Sequence, residues 1–317
     1  MNFRRVRHEL LYLSIVVAVL LGLTAPATAG HWKKMAKMPT PVWSPQVGAI
    51  NGILYAAGGA NGTTNLAILQ AFDPTTNKWT SLAEMPQGLD DGESGVINSQ
   101  LYVAGGWGNY GLPTDTLYLY DPPSNTWSSL PTMSHLSACG RGGVINGQLY
   151  VTTPCNGYSG VYNLLDVYDP VTATWTSLAD SSDQHGWGVG GAINGELYVS
   201  TGSNSSGLSA TTEVYDPATN EWTTLQPIPY PVHGAGSAVI SGKLYAFGGY
   251  NGTTPVNTVQ VYDPIKNKWT VTKPSLRVAA WQISSDVLYG IAFVVGGYDG
   301  SGLLGANYQY YQMPSIP

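Results

Sequence analysis

Four tryptophans, Trp43, Trp107, Trp187 and Trp281, are the residues whose type and placement point most directly to ligand binding. The six other tryptophans of the chain recur at regular intervals, and these four do not. Exposed indole rings stack on the apolar faces of sugars, and tryptophan also dominates the energetic centres of protein interfaces. Three of the four stand seven or eight residues before a predicted hairpin turn, and the other directly follows a Gly-Gly pair. We therefore expect the four rings to share one face and to bind a carbohydrate or a protein.

Charged residues, histidines and tyrosines occupy the same segments as these tryptophans. Carboxylates can hydrogen-bond to sugar hydroxyls, while Tyr and Arg are common anchors of protein ligands. The predicted ligand-binding set is Trp43, Asp90, Asp91, Trp107, Tyr110, Arg141, Tyr158, His185, Trp187, His233, Tyr250, Arg277, Trp281 and Tyr298. A structural interpretation remains open, in which the rings plug the centre of the fold or pack beneath loops.

A catalytic use of these segments is the alternative function. Asp90, Asp91 or Glu93 together with His185 or His233 could form an acid/base pair suited to epimerisation or mutarotation of a small sugar. For each residue alone, a solvated or hydrogen-bonded loop position is the simpler interpretation. The sequence has no His cluster with metal-ligand spacing, no phosphate-binding Gly-rich loop ahead of a helix and no nucleophile elbow. We assign no catalytic residue and expect neither a cofactor nor a metal.

A repeat of 47 or 48 residues must position these side chains. Each unit reads as a hydrophobic strand, a two-residue turn such as Asn-Gly, a second strand ending in Gly-Gly, a polar loop, an aromatic-Asp-Pro strand and a Trp strand. The Gly-Gly pairs are Gly58-Gly59, Gly105-Gly106, Gly248-Gly249 and Gly296-Gly297, with degraded versions at Thr153-Pro154 and Thr201-Gly202. The recurrent tryptophans are Trp32, Trp79, Trp127, Trp175, Trp222 and Trp269. Four short strands in a repeat of this length predict an all-β propeller, here with six blades.

The combination of Gly-Gly, Tyr and Trp in register resembles the Kelch repeat. The resemblance covers nearly the whole chain after its first 29 residues, and it implies a six-bladed β-propeller of four-stranded antiparallel blades. In Kelch proteins that bind partners, the loops that carry the non-repeating residues here correspond to the usual contact surface.

The two ends of the repeat region predict how the propeller closes. The segment that begins at Trp32 matches the outer-strand segment that begins at Trp79, whereas the last unit stops at its third strand. We therefore expect the N-terminal strand to complete the last blade, which removes an open sheet edge.

Residues 1–29 have the features of a secretory signal peptide. Arg4, Arg5 and Arg7 precede the apolar run Leu10–Leu23, and Ala27-Thr28-Ala29 supplies a small-residue cleavage site. We expect residues 30–317 to form a single secreted or periplasmic domain, monomeric and without a membrane anchor after cleavage. Removing three Arg and one Glu leaves 10 basic and 18 acidic side chains. This acidic balance argues against a nucleic-acid ligand.

The two cysteines, Cys139 and Cys155, lie on either side of the turn Asn146-Gly147. Pairing about that turn places Cys139 opposite residue 154, one position from Cys155, which is compatible with disulfide geometry. Because export supplies an oxidising setting, we predict a disulfide worth roughly 3 kcal/mol. Two free buried thiols are the alternative.

Overall fold

The computed structural model describes residues 30–155 and 161–312. Six four-stranded antiparallel sheets follow one another along the chain, and each sheet is one blade of a propeller. The predicted all-β, six-bladed fold is therefore confirmed. Among the described residues, no helix is long and apolar enough to cross a membrane. The predicted signal peptide and Tyr158 lie outside the described residues.

The innermost strands surround the central axis. They are Gln46–Ile50, Glu93–Ile97, Gly142–Ile145, Val189–Ile193, Gly236–Ile240 and Ser284–Leu288, for blades one to six. The second strands are Ile53–Ala57, Gln100–Ala104, Gln148–Cys155, Glu196–Ser200, Lys243–Phe247 and Ile291–Val295. The third strands are Leu69–Asp73, Leu117–Asp121, Val161–Asp169, Thr212–Asp216, Val259–Asp263 and Asn307–Gln312.

The outer strands are Lys78–Leu82, Thr126–Leu130, Thr174–Ser177, Glu221–Thr224 and Lys268–Thr272 for blades one to five, and Gly30–Lys34 for blade six. A short hairpin, Ser203–Asn204 with Gly207–Leu208, and a 3-10 turn, Asn109–Gly111, decorate the loops.

Tight turns join the innermost and second strands, as the sequence predicts. In blade one, Asn51 and Gly52 both have positive φ, at 48° and 87°, and Asn146 and Gly147 repeat this in blade three. Two consecutive left-handed residues give the hairpin turn whose twist matches that of its strands. The turns lie at the end of the innermost strands opposite the four non-repeating tryptophans.

The propeller closes through the first described strand. Gly30–Lys34 pairs antiparallel with Asn307–Gln312, with Trp32 opposite Tyr310. Just beyond the pair, the Asn307 side chain donates to the Ala36 carbonyl, 271 residues away in sequence, at 3.2 Å. The predicted closure of the last blade by the N-terminal strand is confirmed.

The recurrent tryptophans join neighbouring blades. In blade one, the Trp79 indole nitrogen donates to the Ala36 carbonyl at 2.9 Å, and in blade two Trp127 donates to Ala83 at the same distance. Each ring also packs on the aromatic residue of its own third strand, as Trp127 does on Tyr120 at 5.1 Å. The repeat thus supplies both the apolar filling between blades and a hydrogen bond across each gap.

Blade three departs from the pattern where its Gly-Gly pair is degraded. In blade two, Gly105 and Gly106 both have positive φ and end the second strand. Pro154 cannot adopt positive φ, and the second strand instead runs on to Cys155 and pairs with a lengthened third strand. These two strands have eight and nine residues, whereas the corresponding strands of blade two have five each, and they carry Cys155 to the end of the sheet.

Candidate ligand-binding site at the channel mouth

A ring of six equivalent residues, here called the belt, surrounds the start of the innermost strands. All six are left-handed, with φ between 46° and 63°. The belt consists of Ser44, Asp91, Cys139, Trp187, Gly234 and Gln282. Main-chain N–H groups donate from Ser44 to Gln282, Asp91 to Ser44, Cys139 to Asp91, Trp187 to Cys139 and Gly234 to Trp187, at 2.7–3.2 Å. These bonds tie neighbouring blades head to tail and form the mouth of the channel.

An arc of aromatic rings lies on the belt. Trp43 meets Tyr298 edge-on at 6.0 Å, and Tyr298 meets Trp281 at 6.5 Å with an interplanar angle of 80°. Trp281 continues the arc to Tyr250 at 5.2 Å and to His233 at 5.4 Å. All five rings remain partly exposed. The structure therefore brings together five residues of the predicted set from blades five, six and one.

The arc ends at Trp187, whose ring meets His233 edge-on at 6.1 Å. Trp187 belongs to the belt, whereas Trp43 and Trp281 occupy the position one residue earlier in their blades. Because side chains alternate in extended chain, a shift of one residue changes the direction of the ring. Trp187 packs against the cluster of Ala138, Cys139 and Cys155.

Two adjacent carboxyl groups lie beneath the indoles. The Trp43 Nε1–H donates to Asp90 Oδ2 at 3.3 Å, and the Trp187 Nε1–H donates to Asp91 Oδ2 at 3.1 Å. Asp90 is 6% exposed and Asp91 4%. The Oδ1 atoms of both residues are buried and have no hydrogen-bond partner among the described residues. The acids therefore hold the rings from below instead of projecting from a loop.

Burial governs the ionisation of this carboxyl pair. Desolvation, together with the neighbouring Asp91 charge, raises the pKa of Asp90 to about 8. Desolvation also raises the pKa of Asp91, although the Arg141 charge and the hydrogen bonds of the Ser44 and Trp187 side chains oppose it. Burial lowers the pKa of His233, which favours its neutral form.

The cysteines lie at the same mouth. Both are buried, and they form a small cluster against which Trp107 and Trp187 pack. Ala138 pairs with Cys155, so Cys139 is offset by one residue, as the hairpin arithmetic predicts. Their thiols are free in this structure. The disulfide stays a prediction.

Below the belt, the channel forms a cavity of about 360 Å³ lined by the innermost strands. The ionisable side chains that line this cavity are Glu93, Arg141 and Asp286. Desolvation raises the pKa of Glu93 to about 7 and that of Asp286 to about 6. Arg141 donates through Nε to the Gly188 carbonyl of the next blade at 2.9 Å. Asp286 accepts from the Ala49 N–H, across the junction of blades six and one, at 2.7 Å.

Three residues of the predicted set lie elsewhere than expected. His185 is buried, and its ring nitrogens contact Glu213 Oε2 and the Thr201 carbonyl, both at 2.9 Å. It therefore braces blade four and does not present a nitrogen to a ligand. Arg277 donates to the Trp32 carbonyl on the outer strand of blade six, at 2.8 Å, instead of facing the mouth. Arg141 lies in the channel below the belt.

Two other predicted residues lie in the loop after the second strand of blade two. Tyr110 is 97% exposed at the tip of the 3-10 turn. Trp107 forms isolated bridges with Asp90 and Pro113. Burial raises the pKa of the Cys139 thiol, and the side-chain hydrogen bond with Trp107 only partly opposes this. Trp107 thus borders the mouth, while Tyr110 projects from its rim.

Sequence reasoning missed the role of Asp286 at the blade junction. Its equivalents in the other five blades are Gly48, Gly95, Gly143, Gly191 and Ala238. An acidic residue at a position that is Gly or Ala in the other five blades was a signal visible in the sequence. The sequence could not supply its partner, because Asp286 and Ala49 belong to different sheets.

The fold and the site define a class: a six-bladed Kelch-type β-propeller with an aromatic channel mouth. Residues 54–304 match the family model described as the Attractin/LZTR1 beta-propeller. The chain therefore belongs to the Attractin/LZTR1 β-propeller family.

Comparison with solved structures supports the fold. The chain is similar to the protein reported under "Structure of YjhT", with a TM-score of 0.73 and 19% sequence identity. The alignment covers 85% of this chain and 95% of that chain. Among curated proteins, no match was found.

Proposed function

We propose that this protein is a carbohydrate-binding module whose site is the aromatic arc at the channel mouth. The observation that carries the proposal is the continuous contact of five partly exposed rings, Trp43, Tyr298, Trp281, Tyr250 and His233. Propeller folds commonly serve as binding scaffolds, although a fold alone does not define a ligand.

The geometry suits a sugar ring better than a flat apolar surface. Tyr298 stands nearly perpendicular to both Trp43 and Trp281, so the arc has a corner and not a single plane. A pyranose can rest its C–H face on one ring while its edge meets another. Tyr298 and His233 add polar atoms beside the rings for hydroxyl groups.

The buried acids give this arc its rigidity. Asp90 fixes the edge of Trp43 through a hydrogen bond to the indole nitrogen. A ring fixed before binding loses less conformational freedom when the ligand arrives, which favours affinity. Because rings held in this way are still partly exposed, they favour a ligand-binding site over side chains that only fill the centre of the fold.

A glycan array compares the intact protein with Trp43→Ala/Trp281→Ala. We expect the intact protein to bind a defined group of glycans and the double variant to lose that binding. Tyr289→Ala is the matched control, because Tyr289 is 73% exposed on a hairpin at the opposite end of the channel. Near-ultraviolet circular dichroism establishes that each variant is folded.

If the intact protein binds no glycan on the array, the carbohydrate proposal is overturned. A protein ligand at the same mouth is then the next interpretation, and a pull-down with the same pair of variants tests it. Retained binding in a folded double variant would instead place the sugar site away from the arc.

A small-sugar isomerase is the second candidate, and one observation favours it. Glu93 lies in the channel with its pKa raised to about 7 by desolvation, in the range useful for proton transfer near neutral pH. The Gly142 N–H is directed at its carboxylate, which is also consistent with a purely structural role. Polarimetry of freshly dissolved monosaccharides, with Glu93→Gln as comparison, distinguishes proton transfer by Glu93 from a purely structural role. If the optical rotation changes no faster with the protein than in buffer alone, the isomerase function is excluded.

We also propose that the protein is exported and monomeric. The basic, apolar and Ala-x-Ala segments of residues 1–29 support export to the periplasm or the extracellular space. Amino-terminal sequencing of the exported protein should begin at Gly30, and light scattering should give one chain. A retained leader or a larger mass would contradict these proposals separately.

A further inference from the structure

The charges around the aromatic arc are unbalanced. Asp90 and Asp91 lie directly beneath it, each with one buried oxygen that has no hydrogen-bond partner among the described residues. An unpaired buried polar atom is costly. The Ser44 side chain hydrogen-bonds to the Asp91 carboxyl, whereas among the described residues Asp90 Oδ1 has no donor. A ligand or an ordered water can supply it.

Among residues 30–155 and 161–312, cationic side chains do not fill this role. Arg141 faces Asp91, but its Nε and Nη1 already donate to the Gly188 and Gly140 carbonyls. Arg277 is bonded at the outer strand of blade six. The Arg141 charge thus acts on Asp91 and Glu93, and within the described part of the chain no cationic side chain forms an ion pair with Asp90 or Asp91.

The rings above the carboxyls suit a cation. Ammonium groups are attracted to the faces of Trp and Tyr when they lie within about 6 Å of the ring centre, and cages of several rings recognise alkylammonium ligands. The Trp43 indole points its N–H edge at Asp90. Tyr298, nearly perpendicular to Trp43 and Trp281, provides a second wall.

We infer that the recognised sugar carries a protonated amino group, so that the ligand is a glycan containing free hexosamine. This inference rests on the proposed carbohydrate function. The ammonium lies against the rings, above the carboxyl pair, and the pyranose carbons stack on the remaining aromatic surface. Uronic and sialic acids are disfavoured, because their carboxylates would face Asp90 and Asp91.

The raised pKa of Asp90 agrees with this arrangement. Without a cation nearby, burial favours the neutral carboxylic acid. An ammonium placed beside the pair stabilises the carboxylate, so binding should release a proton. A neutral sugar gives no such release.

Three β-1,4-linked tetrasaccharides test the inference, because they differ only at carbon 2: glucosamine, N-acetylglucosamine and glucose. Titration calorimetry at pH 5.5, where the amino groups of the glucosamine tetramer are already protonated and Asp90 holds its proton, is run in two buffers of different ionisation enthalpy, which reports protons released. We expect the glucosamine tetramer to bind at least tenfold more tightly than either of the others, with proton release. Equal or weaker binding of the glucosamine tetramer would overturn the inference.

The glycan array decides the carbohydrate function itself. A protein that binds acetylated or neutral glycans but not the glucosamine tetramer retains the proposed function and loses this inference. A protein that binds no glycan loses both.

Asp90→Asn separates charge from structure. Asparagine keeps an oxygen that accepts from Trp43, so the ring stays in place while the negative charge is lost. We expect the preference for the glucosamine tetramer over the glucose tetramer, measured as the ratio of the two affinities, to fall at least fivefold. Asp180→Asn, at an exposed loop position, is the matched control. Should Asp90→Asn not fold, Asp91→Asn makes the same test, and an unaltered preference in the folded variant would overturn the inference.

Discussion

The indole nitrogen of Trp187 in blade four donates to a carboxylate oxygen of Asp91 in blade two, at 3.1 Å. The two residues are 96 positions apart, and Cys139 of blade three lies between them in the belt. Their main chains are joined through Cys139, and their side chains bond directly to each other. Three blades thus share one hydrogen-bonded unit at the mouth.

Removing this donor should destabilise the protein. Trp187→Phe keeps most of the ring but leaves the buried Asp91 oxygen without its indole partner, so we expect a loss of about 1–3 kcal/mol. Urea unfolding of Trp187→Phe, Asp91→Ala and the double variant measures the coupling between the residues. A coupling free energy indistinguishable from zero would contradict the bond.

Stability should fall as the pH rises from about 4 to about 8. The pKa of Asp90 is about 8 in the folded protein, above its unfolded value of about 3.9, so over this range the folded state holds a proton that the unfolded state has lost. The loss from this group approaches about 1.4 kcal/mol per pH unit and levels off above pH 8. Asp91 and Glu93, whose pKa values are also raised, act in the same direction.

Urea unfolding at pH 5, 6, 7 and 8 measures this dependence. Asp90→Asn removes one titrating group, so its stability should decline less steeply than that of the unaltered protein. Identical slopes would show that Asp90 does not hold a proton in the folded state.

Asp286→Ala should loosen the junction between blades six and one. It leaves the Ala49 N–H without its side-chain acceptor, at a cost of about 1–3 kcal/mol. Hydrogen exchange should accelerate in Gln46–Ile50 and Ser284–Leu288 more than in the other innermost strands. Asp286→Asn, which retains an acceptor oxygen, is the control and should behave like the original. Uniform exchange in the alanine variant would exclude a local role.

Oxidation should link Cys139 to Cys155 after export. Peptide mapping without reductant should recover the two cysteine peptides as one species, and reduction should lower stability by roughly 3 kcal/mol in the chain-entropy model. Two free thiols titrated in the unfolded, unreduced protein would show that the pair stays reduced. Cys139→Ser provides the reference without a disulfide.

The sequence predicts the scaffold well because each scaffold residue repeats. The turn Asn146-Gly147 and the interblade Trp127 each appear in a position that equivalent residues fill elsewhere, so their roles follow from spacing. The closing strand follows from the same logic, since Trp32 matches the other outer-strand tryptophans.

The site was less predictable, because its contacts join residues of separate sheets, such as Trp43 with Asp90, 47 positions apart, and Trp187 with Asp91, 96 positions apart. Trp43 and Trp281 lie in the arc, and each stands eight residues before its hairpin turn, whereas Trp187 stands seven residues before its own. This spacing indicates the one-residue shift of Trp187, but it does not show that the shifted position belongs to the belt. His185 differs from these tryptophans, because it belongs to the predicted binding set but is buried in the structure. Its partner Glu213 occupies a different strand, so burial and pairing became visible only in three dimensions.

The closing strand of blade six has a consequence for how the chain reaches its final shape. Gly30–Lys34 pairs with a strand more than 270 residues further along. Gly30–Lys34 is synthesised first, so it stays unpaired until nearly all of the chain has been synthesised. Contacts between such distant segments slow folding, because a long loop must close before any pairing energy is gained. The last step of folding is then the one that turns an open row of blades into a ring, and the mouth exists only after it.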